Sequence, residues 1–360
     1  MSIKRVIISG GGTGGHIYPA ISIANALKEI DGDIEFLFVG AEGKMEMEKV
    51  PKAGFKIIGL PIVGIQRTQL WKNILFPFKL AKSLFLSAKI LKDFKPDVAV
   101  GVGGYASGPL LLAARFLGIP YFIQEQNSFA GITNKALASK AEHIFVAYPG
   151  MEKFFPAHKI TLSGNPVRKD LIQTAGKKEQ AALHFNLDPA KKTILIIGGS
   201  QGARTINQGI LAGLDRFVEA GVQVVWQTGI AFESTAKQAA AGNNSIYVSA
   251  FIYEMDLAYG IADLVISRAG ASSVSEICLI GKASILVPLP SAAEDHQTEN
   301  AKSLVSQNAA ILVTDANVKE TLVTEALKAL ASDLSTLEKN SHRLAKPNAA
   351  HEIAQSILHA

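Results

Sequence analysis

Short apolar runs alternate with stretches of helical length through the first half of the chain. The pattern predicts strands at 4–9, 34–39, 55–60, 97–101, 120–124 and 143–147, and helices at 16–29, 70–93, 108–117 and 131–139. Runs such as VIIS and VAVGV are apolar at every position, as is typical of a parallel sheet covered by helices on both faces. The first half is therefore predicted to be a doubly wound α/β domain.

The second half repeats this rhythm from a strand at 193–197. Further strands are predicted at VQVVWQ, SIYVSA, ADLVIS, ASILVP and AAILVT, with helices between them. GNPVR at 164–168 is the predicted junction, which divides the chain into domains at 1–165 and 166–343. Pro347 ends one helix. The last segment, 344–360, is expected to form a helix at 348–359 that packs back on the first domain.

Glycines collect after the apolar strands. The four clusters are GGGTGGH at 10–16, GVGGYASGP at 101–109, GGSQGAR at 198–204 and SRAGASSVSE at 267–276. Glycine lets the backbone approach a ligand closely, and the N–H groups at a helix N-terminus favour an anion. Because open α/β sheets bind ligands beyond the carboxyl ends of their strands, we predict two nucleotide-fold halves with a cleft between them.

The first glycine loop also matches a dinucleotide-binding pattern. Residues 10–15 fit G-x-G-x-x-G, and Glu42 is the residue available to hold a ribose at the end of the second strand. The loop carries more glycines than that pattern needs and is followed by His16. An oxidoreductase that uses NAD or FAD is therefore the less favoured interpretation.

Composition narrows the class of protein. The chain has 360 residues, 48% of them apolar, which is enough for two buried cores. Its single cysteine, Cys278, excludes a disulfide framework and a cysteine-based metal site, and we expect this thiol to be buried and inert. No apolar run reaches the roughly 20 residues of a membrane span. The N-terminus has no signal-peptide pattern, so a cytoplasmic protein is expected.

Positive charge is uneven along the chain. The net charge is +5, and the excess of Lys and Arg falls in the first half. Residues 66–95 hold seven basic residues and only one acid, Asp93. Such a segment is either a solvated helix face or a surface for an anionic partner.

Two side chains beside the glycine loops are candidates for chemistry. His16 lies in the first turn of the first helix, where an imidazole could act as a general base, and a capping or packing role is the alternative. Glu276 could accept hydrogen bonds from both hydroxyls of a ribose while Ser272 and Ser273 face phosphates. The alternative for Glu276 is a surface acid that favours the helix dipole.

A further polar stretch, AAEDHQTENA at 292–301, follows the strand-like SILVPLP. Its amide and carboxylate groups suit sugar hydroxyls. On its own the stretch is equally a capped helix start. The residues concerned are Asp295, His296, Gln297 and Asn300.

Together these motifs closely resemble one family. GGGTGGHIYPA, GVGGYASGP, EQN at 125–127, GNPVR, GGSQGAR, SRAGASSVSE and DHQTENA occur in the order and spacing of the MurG family. Its members are the UDP-GlcNAc:undecaprenyl-pyrophosphoryl-MurNAc-pentapeptide N-acetylglucosaminyltransferases of bacterial peptidoglycan synthesis. The resemblance spans nearly the whole chain. It implies the GT-B fold, an α/β architecture in which two Rossmann-like doubly wound domains face a cleft and the C-terminal one mainly holds the nucleotide sugar.

The resemblance also implies site residues. UDP-GlcNAc would be bound by Thr13, Gly14, Gly15, Asn127, Arg168, Ser200, Ile252, Ala271, Ser272, Ser273, Val274, Ser275, Glu276 and Gln297. Ser200 would meet the diphosphate, Ile252 would lie by the uracil, and Gln297 would hold GlcNAc hydroxyls. The acceptor diphosphate would be cradled by Gly12, Gly103, Gly104, Tyr105 and Ser107, although Tyr105 is equally interpretable as a packed aromatic. The AAED lead-in departs from the family pattern, so no sugar contact is assigned to Glu294 or Asp295.

The implied activity is an inverting transfer of GlcNAc from UDP-GlcNAc to the MurNAc 4-hydroxyl of lipid I, which gives lipid II. His16 is the candidate base, with Glu125 as its substitute. The sequence has no paired Asp motif and no clustered metal ligands, so we expect helix N-termini and Arg168 to stabilise the leaving diphosphate without a protein-bound metal or other cofactor. The alternatives are a GT-B transferase for another lipid, a nucleotide-sugar epimerase and a non-enzymatic nucleotide-sugar sensor. No nucleic-acid partner is expected.

The basic helical stretch predicts how a membrane-anchored acceptor is reached. At 100° per residue, Lys72, Lys79, Lys82 and Lys89 fall within about 100° of one another, with Leu75 and Leu86 among them. Ile74, Phe78 and Phe85 lie on neighbouring faces, and Pro77 is expected to divide or kink the stretch. One interpretation is a helix packed on its own sheet with its lysines in water. The other is a patch that docks on anionic lipid at the cytoplasmic face of the membrane. It comprises Lys72, Ile74, Leu75, Phe78, Lys79, Lys82, Phe85 and Lys89.

Overall fold

The structure is a computed structural model that describes residues 3–64, 74, 76–167, 171, 176–199 and 201–359. It forms two compact units. The first comprises Met1–Arg168 together with Lys346–Ala360, and the second comprises Lys169–Ala345. The chain therefore leaves the first unit at the end of GNPVR and returns to it for its last helix.

The first unit is built on a parallel sheet. Its strands are β1 (Arg5–Ser9), β2 (Glu35–Ala41), β3 (Lys56–Leu60), β4 (Val98–Gly101), β5 (Tyr121–Glu125), β6 (Ile144–Val146) and β7 (Ile160–Leu162), and its first helices are α1 (Gly14–Ile30), α2 (Glu46–Lys52), α3 (Phe76–Phe94), α4 (Ser107–Phe116) and α5 (Ile132–Leu137). The strands lie in the order β3-β2-β1-β4-β5-β6-β7, and every pair is parallel. The order therefore reverses between β1 and β4, which are neighbours.

The second unit repeats the design. Its strands are β8 (Thr193–Ile197), β9 (Gln223–Gln227), β10 (Ile246–Ser249), β11 (Leu264–Ser267), β12 (Ala283–Leu286) and β13 (Ile311–Leu312), and its helices are α6 (Lys178–Phe185), α7 (Arg204–Ala212), α8 (Leu214–Glu219), α9 (Ile230–Ala239), α10 (Met255–Ile261), α11 (Ala271–Ile280), α12 (His296–Val305), α13 (Val318–Ala331) and α14 (Ser335–Arg343). The order is β10-β9-β8-β11-β12-β13, again parallel throughout. Here the reversal lies between β8 and β11.

The predicted doubly wound α/β class is confirmed in both units. Two short elements of the first unit were not predicted, namely α2 and the edge strand β7. Each is too brief to show a clear period: α2 has 7 residues and contains Pro51, and β7 has 3 residues, two of them exposed. In the predicted helix at 70–93, residues 70–73 and 75 lie outside the described residues. Pro77 stands in the first turn of α3, where the missing N–H costs no helical hydrogen bond.

The last helix, α15 (Ala349–Leu358), completes the first unit. It packs on α1, and Ile353 and Ile357 are fully buried in one apolar cluster with Ile17 and Ile23. Burying an isoleucine side chain contributes roughly 1.5–3 kcal/mol. The C-terminal helix is thus part of the first core. Among the described residues, no helix is long and apolar enough to span a membrane.

Candidate active site

The glycine loops fall in pairs at the two points where strand order reverses. GGGTGGH follows β1 and GVGGYASGP follows β4, while GGSQGAR follows β8 and SRAGASSVSE runs on from β11. Because neighbouring parallel strands end at the same edge of a sheet, each pair lies together at its own switch point. That is where open α/β sheets bind ligands.

Charge at the helix starts suits an anion. The helices that follow the four loops, α1, α4, α7 and α11, have no acidic residue in the first turn. By contrast, α2, α6 and α12 begin with acidic residues, as the helix dipole favours. In the four helices that follow the glycine loops, no acidic side chain of the first turn therefore neutralises the positive end of the helix dipole.

Backbone packing between the first-unit loops requires glycine. Gly103 and Gly104 have φ of +89° and +87°, in the left-handed region that other residues rarely adopt. A Cβ on Gly104 would lie 2.2 Å from the carbonyl oxygen of Gly11, and one on Gly103 would lie 2.8 Å from ring atoms of His16. The β4 loop therefore touches both the β1 loop and the imidazole.

His16 is held by an amide. Its Nδ1 lies 2.8 Å from Oε1 of Gln126, in the segment just after β5. The side chain is half-buried in the first turn of α1. The structure therefore brings together the predicted base and both predicted acceptor loops.

Glu125, the substitute base, is occupied by other contacts. Its Oε2 accepts hydrogen bonds from the Gly131 N–H at 3.0 Å and from Asn134 Nδ2 at 2.8 Å. Its Oε1 accepts from the backbone and side-chain nitrogens of Asn127, at 3.2 and 3.4 Å. The carboxylate thus shapes the loop after β5, and its lone pairs are already used. The side chain of Asn127, a predicted UDP-GlcNAc contact, is bonded to this carboxylate.

The remaining acceptor-side residues differ in exposure. Thr13 is exposed and its carbonyl oxygen accepts the His16 and Ile17 N–H groups. Tyr105 is 49% exposed and its ring packs against Gly64. Ser107 is fully buried, and its Oγ lies 2.8 Å from the Ser9 carbonyl oxygen and 2.7 Å from that of Gly103. Ser107 therefore fixes the β4 loop from inside and presents no hydroxyl to solvent.

A buried carboxylate beneath the first loop was missed from the sequence. Glu46, on α2, is fully buried and accepts hydrogen bonds from the Gly12 N–H and the Ala41 N–H, both at 2.9 Å. A Cβ on Gly11 would lie 2.1 Å from its Oε1. The glycine loop is thus folded over this carboxylate. The short α2 gives no periodic signal that would have identified it.

In the second unit, the start of α11 has the features of a phosphate site. Its Ser272 Oγ is buried and makes no hydrogen bond among the described residues, although buried hydroxyls are ordinarily paired. A Cβ on the preceding Gly270 would meet nothing within 4 Å. Ser273 and Ser275 are half-buried, while Ala271 and Val274 pack inward.

The carboxylate of Glu276 is oriented by a buried tyrosine. Its Oε2 accepts a hydrogen bond from the hydroxyl of Tyr259 at 3.1 Å, and Tyr259 is fully buried on α10. A carboxylate has room for several further hydrogen bonds. Tyr259 was not predicted, because its position in an ordinary apolar helix marks it only as core.

A single amide joins two of the second-unit loops. Gln227, at the end of β9, donates from Nε2 to the Gly199 carbonyl oxygen at 3.1 Å and accepts at Oε1 from the Ile252 N–H at 3.0 Å. The Ile252 side chain is buried, whereas Tyr253 is 72% exposed. Both the side chain of Ile252 and its N–H group, bonded to Gln227, therefore lie inside the unit at this position.

The polar stretch at 292–301 opens α12. Gln297 accepts at Oε1 from the Leu289 N–H at 3.0 Å, which leaves its Nε2 as the donor side of the amide. Glu294 and Asp295 both have positive φ, 56° and 51°, a backbone conformation that is strained for residues other than glycine. Asn300 is buried and donates to the Ala269 carbonyl oxygen at 3.2 Å.

Arg268, directly after β11, connects this strand end to the segment after β12 and to Asp315. It was not predicted from the sequence. Its Nη1 donates to the Val287 and Pro288 carbonyl oxygens, both at 3.1 Å, and pairs with Asp315 at 2.6 Å. Its position in the SRAG segment was the only available signal. Among the described residues, no cluster of three His, Cys, Asp or Glu could hold a metal ion.

Four predicted residues lie outside the described residues. They are the donor contacts Arg168 and Ser200 and the membrane-patch residues Lys72 and Leu75.

The described part of the patch forms a stripe on α3. Phe78, Lys82, Phe85 and Lys89, here called the α3 stripe, follow helical spacing on one face, and both phenylalanines are 72% exposed. Ile74, just before the helix, is 71% exposed, and Lys79 is half-buried. A helix that packs on its own sheet would bury its apolar residues, and Leu86 does pack on the core, but Ile74, Phe78 and Phe85 are exposed.

Comparison with known proteins places the chain in a family. Residues 6–146 match the glycosyltransferase family 28 N-terminal domain and residues 193–357 match the C-terminal domain. A relative from Parabacteroides distasonis is 56% identical, covering 98% of this chain and 97% of its own, and is named UDP-N-acetylglucosamine--N-acetylmuramyl-(pentapeptide) pyrophosphoryl-undecaprenol N-acetylglucosamine transferase. The chain belongs to the MurG family.

Solved structures agree on the fold. The crystal structure of MurG from Acinetobacter baumannii matches with a TM-score of 0.78 and 30% identity, covering 99% of this chain and 100% of that one. A UDP-N-acetylglucosamine 2-epimerase matches with a TM-score of 0.70 at 16% identity, covering 99% and 95%, a likeness of fold alone. The chain thus has the GT-B fold of the MurG family, as the motifs predicted.

Proposed function

We propose that the chain is an inverting glycosyltransferase that moves GlcNAc from UDP-GlcNAc to the MurNAc 4-hydroxyl of lipid I, forming lipid II. The observation that carries this proposal is that each unit has a pair of glycine loops at its switch point, followed by helices without acidic residues in the first turn, an arrangement suited to an anion. A nucleotide-sugar donor and a lipid-pyrophosphate acceptor together bring two diphosphates. An epimerase handles one, and a transferase acting on diacylglycerol has no diphosphate on its acceptor.

The donor belongs to the second unit in this proposal. The first-turn N–H groups of α11 and the orphaned Ser272 hydroxyl would bind phosphate oxygens. Glu276, held by Tyr259, would accept from the 2′- and 3′-hydroxyls of the ribose. Gln297 would donate from Nε2 to a GlcNAc hydroxyl, because its Oε1 is used by Leu289. The helix N-termini then stabilise the charge that develops on the leaving UDP.

The acceptor belongs to the first unit, with its diphosphate over the Gly12 and Gly103–Ser107 loops. His16 takes the proton of the MurNAc 4-hydroxyl as that oxygen forms a bond to C1 of GlcNAc. The bond from C1 to the β-phosphate oxygen breaks, and UDP leaves with the electron pair. A single displacement inverts the configuration at C1. No protein-bound metal enters this scheme.

The α3 stripe would bring the enzyme to its acceptor. In a doubly wound fold, α3 runs antiparallel to β4, so its first turn lies at the sheet edge that carries the acceptor loops. Exposed aromatic rings with intervening lysines suit the interface of an anionic bilayer. We therefore propose a peripheral location on the cytoplasmic face of the membrane, where lipid I is consumed for cell-wall growth.

The test is transfer of labelled GlcNAc from UDP-GlcNAc to matched acceptors. A soluble short-chain lipid I analogue is compared with its monophosphate counterpart, with diacylglycerol and with no acceptor, each with and without EDTA. We expect labelled product only with the diphosphate analogue and within about twofold of the same rate in EDTA. Transfer to diacylglycerol, or formation of an epimerised UDP-sugar without acceptor, would refute the assignment.

A further inference from the structure

The side chain that holds His16 has a determined orientation. Gln126 is 1% exposed, and its Nε2 donates to the Val102 carbonyl oxygen at 2.8 Å and to the Gln124 carbonyl oxygen at 3.1 Å. Carbonyl oxygens only accept hydrogen bonds, so the NH2 end of the amide must face them. The amide oxygen therefore faces His16, and the alternative flip would set that oxygen against two other acceptors.

This orientation determines the protonation pattern of the imidazole. Gln126 Oε1 lies 2.8 Å from His16 Nδ1. Because an amide oxygen cannot donate, Nδ1 must carry the hydrogen, and a neutral imidazole then has its lone pair on Nε2. We propose that Gln126 is a positioning residue that fixes His16 as the Nδ1–H tautomer and so makes Nε2 the proton acceptor.

The surrounding contacts hold Gln126 in place. The Asn165 side chain donates from Nδ2 to the Gln126 carbonyl oxygen at 3.0 Å, and Gln124 donates from Nε2 to Asn165 Oδ1 at 3.1 Å. All of these amides are buried. On the other side, Gly103 has no Cβ to push the ring away. A buried, connected amide network of this kind specifies one arrangement.

The tautomer itself can be observed. In protein labelled with ¹⁵N-histidine, the two ring nitrogens of His16 are distinguished by their chemical shifts, and His16→Ala identifies which signals belong to it. At a pH where the ring is neutral, we expect a protonated Nδ1 and an unprotonated Nε2. The Nε2–H tautomer in the wild-type protein would overturn the proposal, and this measurement needs no variant at position 126.

Variants test the catalytic consequence. Gln126→Met keeps the size of the side chain and removes the acceptor, so we expect mixed tautomers and a kcat about 10- to 100-fold lower, the range found when a partner that orients a metal-ligating histidine is removed. The KM for UDP-GlcNAc should stay within about twofold. Gln126→Glu restores an acceptor oxygen toward Nδ1 and should restore the Nδ1–H tautomer, but it sets its second oxygen against the Val102 and Gln124 carbonyl oxygens, so we expect a less stable protein and only partial recovery of turnover. Gln355→Met, on the exposed face of α15, is the matched control and should change nothing.

The consequence for turnover rests on the proposed role of His16, and the two can fail separately. If His16→Ala keeps wild-type turnover, the base assignment fails while the tautomer measurement still stands. If His16→Ala is inactive but Gln126→Met keeps both the wild-type tautomer and the wild-type kcat, Gln126 is not the positioning residue. A folded Gln126→Met protein with lower kcat, mixed tautomers and unchanged KM supports the proposal.

Discussion

Glu276 offers the sharpest test of the donor site. Replacing it with alanine removes a half-buried carboxylate that accepts a hydrogen bond from the Tyr259 hydroxyl at 3.1 Å, and alanine is well tolerated in a helix, so folding should change little. A hydrogen bond to a charged group is worth roughly 1.5–3 kcal/mol. We therefore expect Glu276→Ala to weaken UDP-GlcNAc binding about 10- to 100-fold, since about 1.4 kcal/mol corresponds to a factor of ten.

Two companion variants separate the carboxylate from its support. Tyr259→Phe removes the hydroxyl that orients Glu276 and keeps the packed ring. Because this hydrogen bond is present in the ligand-free protein, only its orienting effect is lost, and we expect a smaller loss of affinity than in Glu276→Ala. Glu276→Gln keeps an acceptor oxygen without the charge and should fall between the two. The graded order is expected because each change removes a different part of the same contact.

The assay is titration calorimetry with UDP and with UDP-GlcNAc. Both ligands carry the ribose, so Glu276→Ala should weaken both by the same factor, whereas a contact to the sugar would weaken UDP-GlcNAc alone. Thermal denaturation without ligand checks that the fold is retained. Wild-type affinity for both ligands in Glu276→Ala would refute the assignment, and a loss confined to UDP-GlcNAc would move the carboxylate to the GlcNAc ring.

Three further predictions concern the base, the membrane and the thiol. His16→Ala should lower kcat by about 10²-fold or more with UDP binding kept, and near wild-type turnover at saturating substrates would reduce His16 to a binding or structural role. Each basic residue near an anionic membrane contributes about 1 kcal/mol of binding, so charge reversal on α3 should abolish sedimentation with anionic vesicles at low salt and leave turnover of a soluble acceptor unchanged. The changes are Lys79→Glu, Lys82→Glu and Lys89→Glu. Undiminished vesicle binding would show that the membrane-binding surface lies elsewhere. Burial raises the pKa of Cys278 from 9.0 to about 11, so the free energy of unfolding should fall as pH rises through this interval, and thiol reagents at pH 8 should react only on unfolding. UDP-GlcNAc should slow that reaction, and rapid labelling of the folded protein would contradict the burial.

Most strands, helices and glycine loops could be predicted from the sequence because each is specified by a local pattern of residues. Strands apolar at every position predict a covered parallel sheet, and β8 begins and ends as predicted at 193–197. The glycine loops were identified because positive φ and close backbone contact, as at Gly104, require glycine. The exposed rings of Phe78 and Phe85 were predicted by only one of the two interpretations of this helix, since helical spacing defines a face without saying whether a neighbour covers it.

The parts of the site that could not be predicted are those set by tertiary contact. Glu46, Gln126 and Tyr259 each hold a residue that the motifs did identify, yet each lies on a different element from the group it supports. Their pairings depend on register between strands and helices, which single-sequence patterns do not specify.

Glu46 shows how such a tertiary contact shapes a glycine loop. A fully buried carboxylate beneath a loop meant for an anion is electrostatically unfavourable for that anion, but both its oxygens accept backbone N–H groups, one of them from Gly12. Since leaving a buried N–H unpaired costs roughly 1–3 kcal/mol, the carboxylate stabilises the loop conformation itself, and the first glycine loop gains its shape from a side chain that is buried beneath it.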